Sequence, residues 1–205
     1  QTLLAKKPDS VAVLSVLAAA CILEQRLTEA ETYVRRASEA APADVGLTLK
    51  WVDVIELQNA ARAETALKAF MQKDPGDARL VFRLARHYQE HERIPEAEAT
   101  LQAFAEQYPD SRNAVNARFQ LAQLAWLRQD LPEAKSRVSQ LLIREPRNVD
   151  ALLLRAALSL AEPAYPAVFA DLYRALEIRP DAEQALVLMA QAYQLQGQTQ
   201  NVEET

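Results

Sequence analysis

The spacing of the prolines constrains this chain more than any other feature. Pro8, Pro42, Pro75, Pro109, Pro146 and Pro180 are separated by 34, 33, 34, 37 and 34 residues, so six of the ten prolines mark one period. A period of that length belongs to arrays of small units that cannot bury a core alone and must stack on their neighbours. Each proline closes a helix-like stretch, as in Arg36-Ala-Ser-Glu-Ala-Ala-Pro42 and Arg174-Ala-Leu-Glu-Ile-Arg-Pro180. Proline stops a helix there because it has no N–H to continue the hydrogen-bond ladder. A second landmark recurs inside the period: Leu27-Thr-Glu-Ala30, Ile94-Pro-Glu-Ala97, Leu131-Pro-Glu-Ala134 and Tyr165-Pro-Ala-Val168. Pro95, Pro132 and Pro166 stand where a second helix would begin, the helical position at which the missing N–H costs little. Each period is therefore two helices and a short turn. The first helices carry apolar residues at i, i+3, i+4 and i+7, as in Val81, Leu84, Ala85, Tyr88 and in Leu186, Met189, Ala190, Tyr193, which reads as one packed face.

Composition supports an all-α fold. The apolar half of the 205 residues is mostly Ala and Leu, and three glycines are too few for a hairpin-rich β protein. A net charge of −5, from 28 acids and 23 bases, gives no basic excess to attract nucleic acid or anionic lipid. No apolar run approaches the roughly 20 residues that span a bilayer, so no direct membrane insertion is expected.

The units are 9–42, 43–75, 76–109, 110–146, 147–180 and a truncated 181–205, preceded by the tail of another unit at 1–8. Helices are expected to pair at 9–23 with 28–40, 44–57 with 61–73, 77–91 with 95–107, 113–128 with 132–144 and 148–161 with 166–178. A helix at 182–196 and a truncated last helix would follow. The second unit is one residue short near Asn59-Ala60, and the fourth carries three extra residues around Asp110 to Ala114, before its first helix.

In these features the chain resembles the tetratricopeptide repeat family, and bacterial arrays of that family in particular. Small residues recur in phase at Ala18, Ala85, Ala122, Ala156 and Ala190 on first helices and at Ala30, Ala63, Ala97 and Ala134 on second helices. The family's inter-helix glycine survives only as Gly197. The resemblance implies a solenoid of antiparallel helix-turn-helix repeats, a superhelix with a concave groove lined by first helices, and binding of a protein or peptide partner there. No enzyme activity and no cofactor are expected. The alternative that the resemblance offers is an architectural segment of a bacterial envelope secretion or exopolysaccharide-export assembly with no groove ligand. On either reading the protein is expected in the bacterial cell envelope on the periplasmic side, or else in the cytoplasm. Leu3 and Leu4 at one end, and Met189, Tyr193 and Val202 at the other, belong to faces that normally meet a next unit, so end-to-end self-association is a further expectation.

Candidate chemistry is sparse. His87-Tyr-Gln-Glu-His91 matches the H-x-x-E-H string of one metallopeptidase class, but Tyr88 sits in repeat register and no third ligand can be placed from sequence. Neither a catalytic nor a metal site is expected. Cys21 falls on a core-facing row and reads as a buried small hydrophobe. What remains is the first-helix surface: Arg79, Phe82, Arg83 and Arg86 in the third unit, and Phe119, Gln123 and Trp126 in the fourth. Arginine and tryptophan are the side chains most enriched where binding energy concentrates. An extended or helical partner segment with acidic and apolar side chains is the expected ligand of this partner-binding groove.

Overall fold

The structure is a computed structural model and describes residues 10–160 and 165–203. The expected tail at 1–8, with Leu3 and Leu4, lies outside them. The described residues form eleven helices and no strand, which is the all-α fold expected from the repeat: α1 Val11–Leu23, α2 Leu27–Ala40, α3 Val45–Glu56, α4 Ala60–Lys73, α5 Ala78–Glu90, α6 Ile94–Gln107, α7 Arg112–Leu127, α8 Leu131–Arg144, α9 Val149–Ser159, α10 Tyr165–Ile178 and α11 Glu183–Glu203. The chain divides into two compact units, residues 1–100 and 101–205.

In the first unit each helix from α1 to α5 packs on the next, and α3 also reaches α5. The small residues of the period permit this approach: Ala18, Ala30, Ala63 and Ala85 are buried. Two apolar clusters hold the early hairpins, one of Ala18, Cys21, Ala30, Val34 and Val54, the other of Leu14, Ala37 and Leu47. Cys21 is a buried free thiol, as its row in the repeat implies. In the second unit α7 to α11 follow the same order of packing, with α9 also touching α11, around one core that includes Ala122, Val138, Leu152, Leu172 and Ala185.

Side-chain caps start α3, α5, α7 and α9. Asp44, Asp77, Ser111 and Asn148 accept from the backbone N–H of Gly46, Arg79, Asn113 and Ala151, satisfying donors that the first helical turn leaves free. The inter-helix turns close without glycine. Gln25, Glu92 and Gln129 adopt φ of 60°, 58° and 62°, while the following N–H groups of Arg26, Arg93 and Asp130 reach back to Cys21, Tyr88 and Ala125 carbonyls at 2.8, 2.8 and 2.9 Å. This is the left-handed helix stop usually given to glycine. In the shorter second repeat Asn59 N–H bonds Ile55 O at 2.8 Å, one residue closer, and no left-handed residue is used.

Two expectations about local structure are corrected. The extra residues of the fourth repeat do not all precede its first helix: α7 begins at Arg112 and runs 16 residues, with Ala114 and Ala117 buried, so the insertion lengthens the helix. Its cap, Ser111, sits early enough to recruit them. Gly197 does not make a turn, because α11 continues through it to Glu203. Among the described residues no second helix folds back on α11, and Leu186, Ala190 and Tyr193 are exposed where a packed face was expected, while Ala182, Ala185, Leu188 and Ala192 carry the burial instead.

Candidate functional site

On the first unit, α1 and α3 frame a cleft of about 310 Å³. Ala18, Ala19 and Ile22 line it from α1, and Leu47, Val54 and Leu57 from α3 and its C-terminal cap. Ser15, Lys50 and Asp53 add the polar groups. The cleft forms because small residues stand at consecutive turns of α1, leaving room beside a helix whose own apolar residues are long. Lys50 is exposed, and no ion pair holds it among the described residues.

Asp53 joins this cleft to the arginine row. Arg83 is only 13% exposed, its Nε donates to Asp53 Oδ1 at 2.8 Å, and its Nη2 lies 3.6 Å from Glu56 Oε2. Arg86 Nε donates to Glu90 Oε1 at 2.7 Å, and Arg79 Nε donates to Asp77 Oδ1 at 3.0 Å. The hydrogen bond from Arg79 holds the Asp77 carboxyl below the ordinary aspartate range, more than burial raises it. The three arginines expected to offer free charge are thus each engaged by an acid of the chain itself. Phe82 is half-buried beside them.

Behind the row lies a denser polar cluster. His87 is 2% exposed, and its Nδ1 lies 2.8 Å from Glu56 Oε2. Its Nε2 is 3.8 Å from Glu64 Oε2. Glu64 in turn accepts from Lys68 at 2.7 Å, Arg93 at 2.7 Å and Tyr88 Oη at 3.1 Å. Lys68, then Arg93 and Tyr88, lower the Glu64 carboxyl to about 2 against the desolvation that opposes them. The sequence placed no third ligand beside the two histidines; in the structure Glu56, from the preceding repeat, stands with His87 and His91 so that one ligand atom of each lies within 4.8 Å of the others. Glu90, the acid of the H-x-x-E-H string, is taken up by Arg86.

The second unit holds the rest of the expected surface. Phe119 is half-buried against the core of that unit, Gln123 is exposed, and Trp126 is 45% exposed near the end of α7. Sequence reasoning did not single out Arg118, whose Nη2 donates to the Ala105 and Pro109 carbonyls at 3.1 Å each. Burial, then the nearby Arg144, lowers its pKa. Arg118, Arg137 and Arg144 share a cavity of about 530 Å³.

Among the described residues no helix is long and apolar enough to cross a membrane. Residues 54–117 match the sequence profile of the tetratricopeptide repeat family. Comparison with curated protein sequences gives no match. Solved structures share the fold at low identity. YrrB, described as a TPR protein with an unusual peptide-binding site, is 17% identical over 92% of this chain and 96% of its own, with a TM-score of 0.54. PilF of Pseudomonas aeruginosa is 14% identical over 92% and 87%, with a TM-score of 0.59. Yeast Tom70 is 13% identical over 96% of this chain and 42% of its own, with a TM-score of 0.70.

Proposed function

We propose that this chain, whose residues 54–117 match the tetratricopeptide repeat family, is a non-enzymatic interaction scaffold that docks a partner segment on the first-helix face of its first unit. The observation that carries this reading is the apolar cleft between α1 and α3 with exposed Lys50 on its edge. An extended or helical segment with apolar side chains fits the cleft walls, and an acidic side chain on it would pair with Lys50. Arg79, Phe82, Arg83 and Arg86 then form a neighbouring surface of the same unit. Their carboxylate partners moderate the charge that they present, so an acidic ligand has to compete with Asp77, Asp53 and Glu90. Phe119, Gln123 and Trp126 provide a second contact surface on the second unit. The peptide-binding site named for YrrB accords with a ligand of this kind.

The test uses short synthetic peptides that are acidic and apolar, basic and apolar, or polar throughout, titrated by fluorescence anisotropy. The acidic, apolar peptide should bind best. Ala19→Arg, which fills the cleft from an exposed helical position, and Lys50→Glu should each weaken it about tenfold, in the 1–3 kcal/mol range of a contact residue that matters. Equal binding of all three peptides, or no loss in either variant, would remove this reading.

The architectural alternative, a segment of a bacterial envelope secretion or exopolysaccharide-export assembly, is favoured by one observation. Leu186, Val187 and Tyr193 of α11 expose an apolar face that another protein, or a second copy of this chain, would cover. Light scattering of the Leu186→Lys, Val187→Lys variant tests the second-copy form: association with concentration that this variant abolishes supports it, and a concentration-independent monomer removes it.

A further inference from the structure

We propose that Glu56, His87 and His91 form a binding site for a divalent transition-metal ion of the zinc type, held between α3 and the C-terminal end of α5. The three residues converge because the array brings the end of one first helix beside the end of the next. Glu56 ends α3, His87 lies in the last turn of α5, and His91 caps that helix. Histidines at i and i+4 share one helical face, which is why this pairing recurs in zinc sites.

The protonation pattern prepares the site. His91 Nδ1 lies 2.8 Å from the His87 carbonyl, which can only accept, so neutral His91 carries its proton on Nδ1. Its Nε2 is left with a lone pair 3.5 Å from Glu56 Oε1. Tetrahedral zinc with ligands at about 2.0–2.1 Å sets neighbouring ligand atoms about 3.3 Å apart. The 3.5 Å spacing already matches. His87 Nδ1 rests 2.8 Å from the other carboxylate oxygen, Oε2, so the Glu56 carboxylate has to turn to bring a single oxygen within reach of both nitrogens. With the ion absent, His87 Nδ1–H donates to Glu56. With the ion present, Nδ1 gives its lone pair to the metal and the proton moves to Nε2, which faces Glu64 Oε2 at 3.8 Å. Starting from neutral imidazole, this exchange is a change of tautomer and releases no proton. Glu64 then becomes the carboxylate behind a metal-bound histidine, fixed by Lys68, Arg93 and Tyr88.

Two nitrogens and one carboxylate oxygen suit zinc, nickel or copper rather than calcium or magnesium, which need more oxygen ligands. His91 is 38% exposed, so the fourth position opens to water. Arg83 Nη2, 3.6 Å from Glu56 Oε2, places a fixed positive charge beside the ion and limits its affinity. The site completes no peptidase, because Glu90 is engaged by Arg86.

The experiment is zinc titration of chelator-treated protein against a chromophoric competitor, repeated with cobalt for its visible absorption. The site predicts one ion per chain, a tetrahedral cobalt spectrum and a higher melting temperature with zinc. His91→Ala changes an exposed cap and should leave the apo fold intact, yet weaken binding at least about tenfold, as loss of one of three ligands does. Glu56→Gln should do the same at constant volume. No saturable binding, or binding equally tight in His91→Ala and Glu56→Gln, overturns the assignment.

Discussion

The two units are built from one repeat pattern but hold their hairpins together differently. In the first, polar links run from one repeat to the next: Arg62 to Glu31, Arg83 to Asp53, His87 to Glu56 and Arg93 to Glu64. In the second, a continuous core of Ala and Leu extends from α7 to α11, and Arg155 with Asp171 and Arg179 with Asp150 pair within a single repeat. The difference teaches that the repeat fixes only the small residues where helices cross. The other positions are free to carry either aliphatic packing or an ionic lattice. In the ionic unit polar groups lie beside an apolar cleft, whereas the cavity of the second unit is lined by Arg118, Arg137 and Arg144.

The largest expected contrast comes from truncating the core. Leu152→Ala removes a fully buried side chain from the second unit and should cost about 2–5 kcal/mol in denaturant unfolding. A loss below 1 kcal/mol would mean that the second unit does not depend on its aliphatic core.

Acid should act on the ionic unit next. Glu64 sits at about 2 in the folded chain against an ordinary value of 4.5. Its contribution is complete above about pH 4.5 and is lost as pH falls through 2, because protonation ends its bonds to Lys68 and Arg93. The stability gap between the wild type and Glu64→Gln, clear at pH 7, should therefore shrink steadily below pH 4.5 and vanish near pH 2. A gap independent of pH would show that the Glu64 carboxylate is not stabilised by these partners.

A smaller effect distinguishes arginines within one row. Arg83, nearly enclosed among Asp53, Glu56 and Glu90, should lose about 1–2 kcal/mol on replacement by alanine, while exposed Arg86 loses under about 0.5 kcal/mol. Equal effects would show that the acids around Arg83 add nothing beyond an exposed pair.

The smallest concerns the turns. Gln129 pays for a left-handed backbone that glycine adopts freely, so Gln129→Gly should stabilise the chain by about 0.5–1 kcal/mol in thermal or chemical unfolding. A destabilised variant would show that the Gln129 side chain matters more than its backbone.

The period, the helix pairs and the buried row of Cys21 were legible because they follow from proline and small-residue spacing, which the repeat imposes at every unit. The left-handed turns were not, since the hydrogen bonds after Cys21, Tyr88 and Ala125 force whichever residue stands there into that conformation. The face of α11 was misread because Leu186, Ala190 and Tyr193 keep the pattern of a first helix, while burial requires a second helix folded onto it. The site was half legible. Arg86 and Glu90 show their pairing at i, i+4, but Asp53 and Glu56 lie 30 and 31 residues before Arg83 and His87. Arg62 with Glu31 and Arg93 with Glu64 are 31 and 29 apart. That recurring separation, about one period less a helical turn, is the signal that would have found them.

Methyl NMR mapping of the acidic, apolar peptide tests the central claim most directly, because it locates the ligand rather than only weighing it. Docking in the cleft between α1 and α3 predicts that Ala19, Ile22 and Leu57 methyl resonances shift together and saturate with one affinity, and that Ala19→Arg abolishes the response. Shifts confined to Leu186 and Val187 of α11, with the cleft methyls unmoved at saturation, would contradict it.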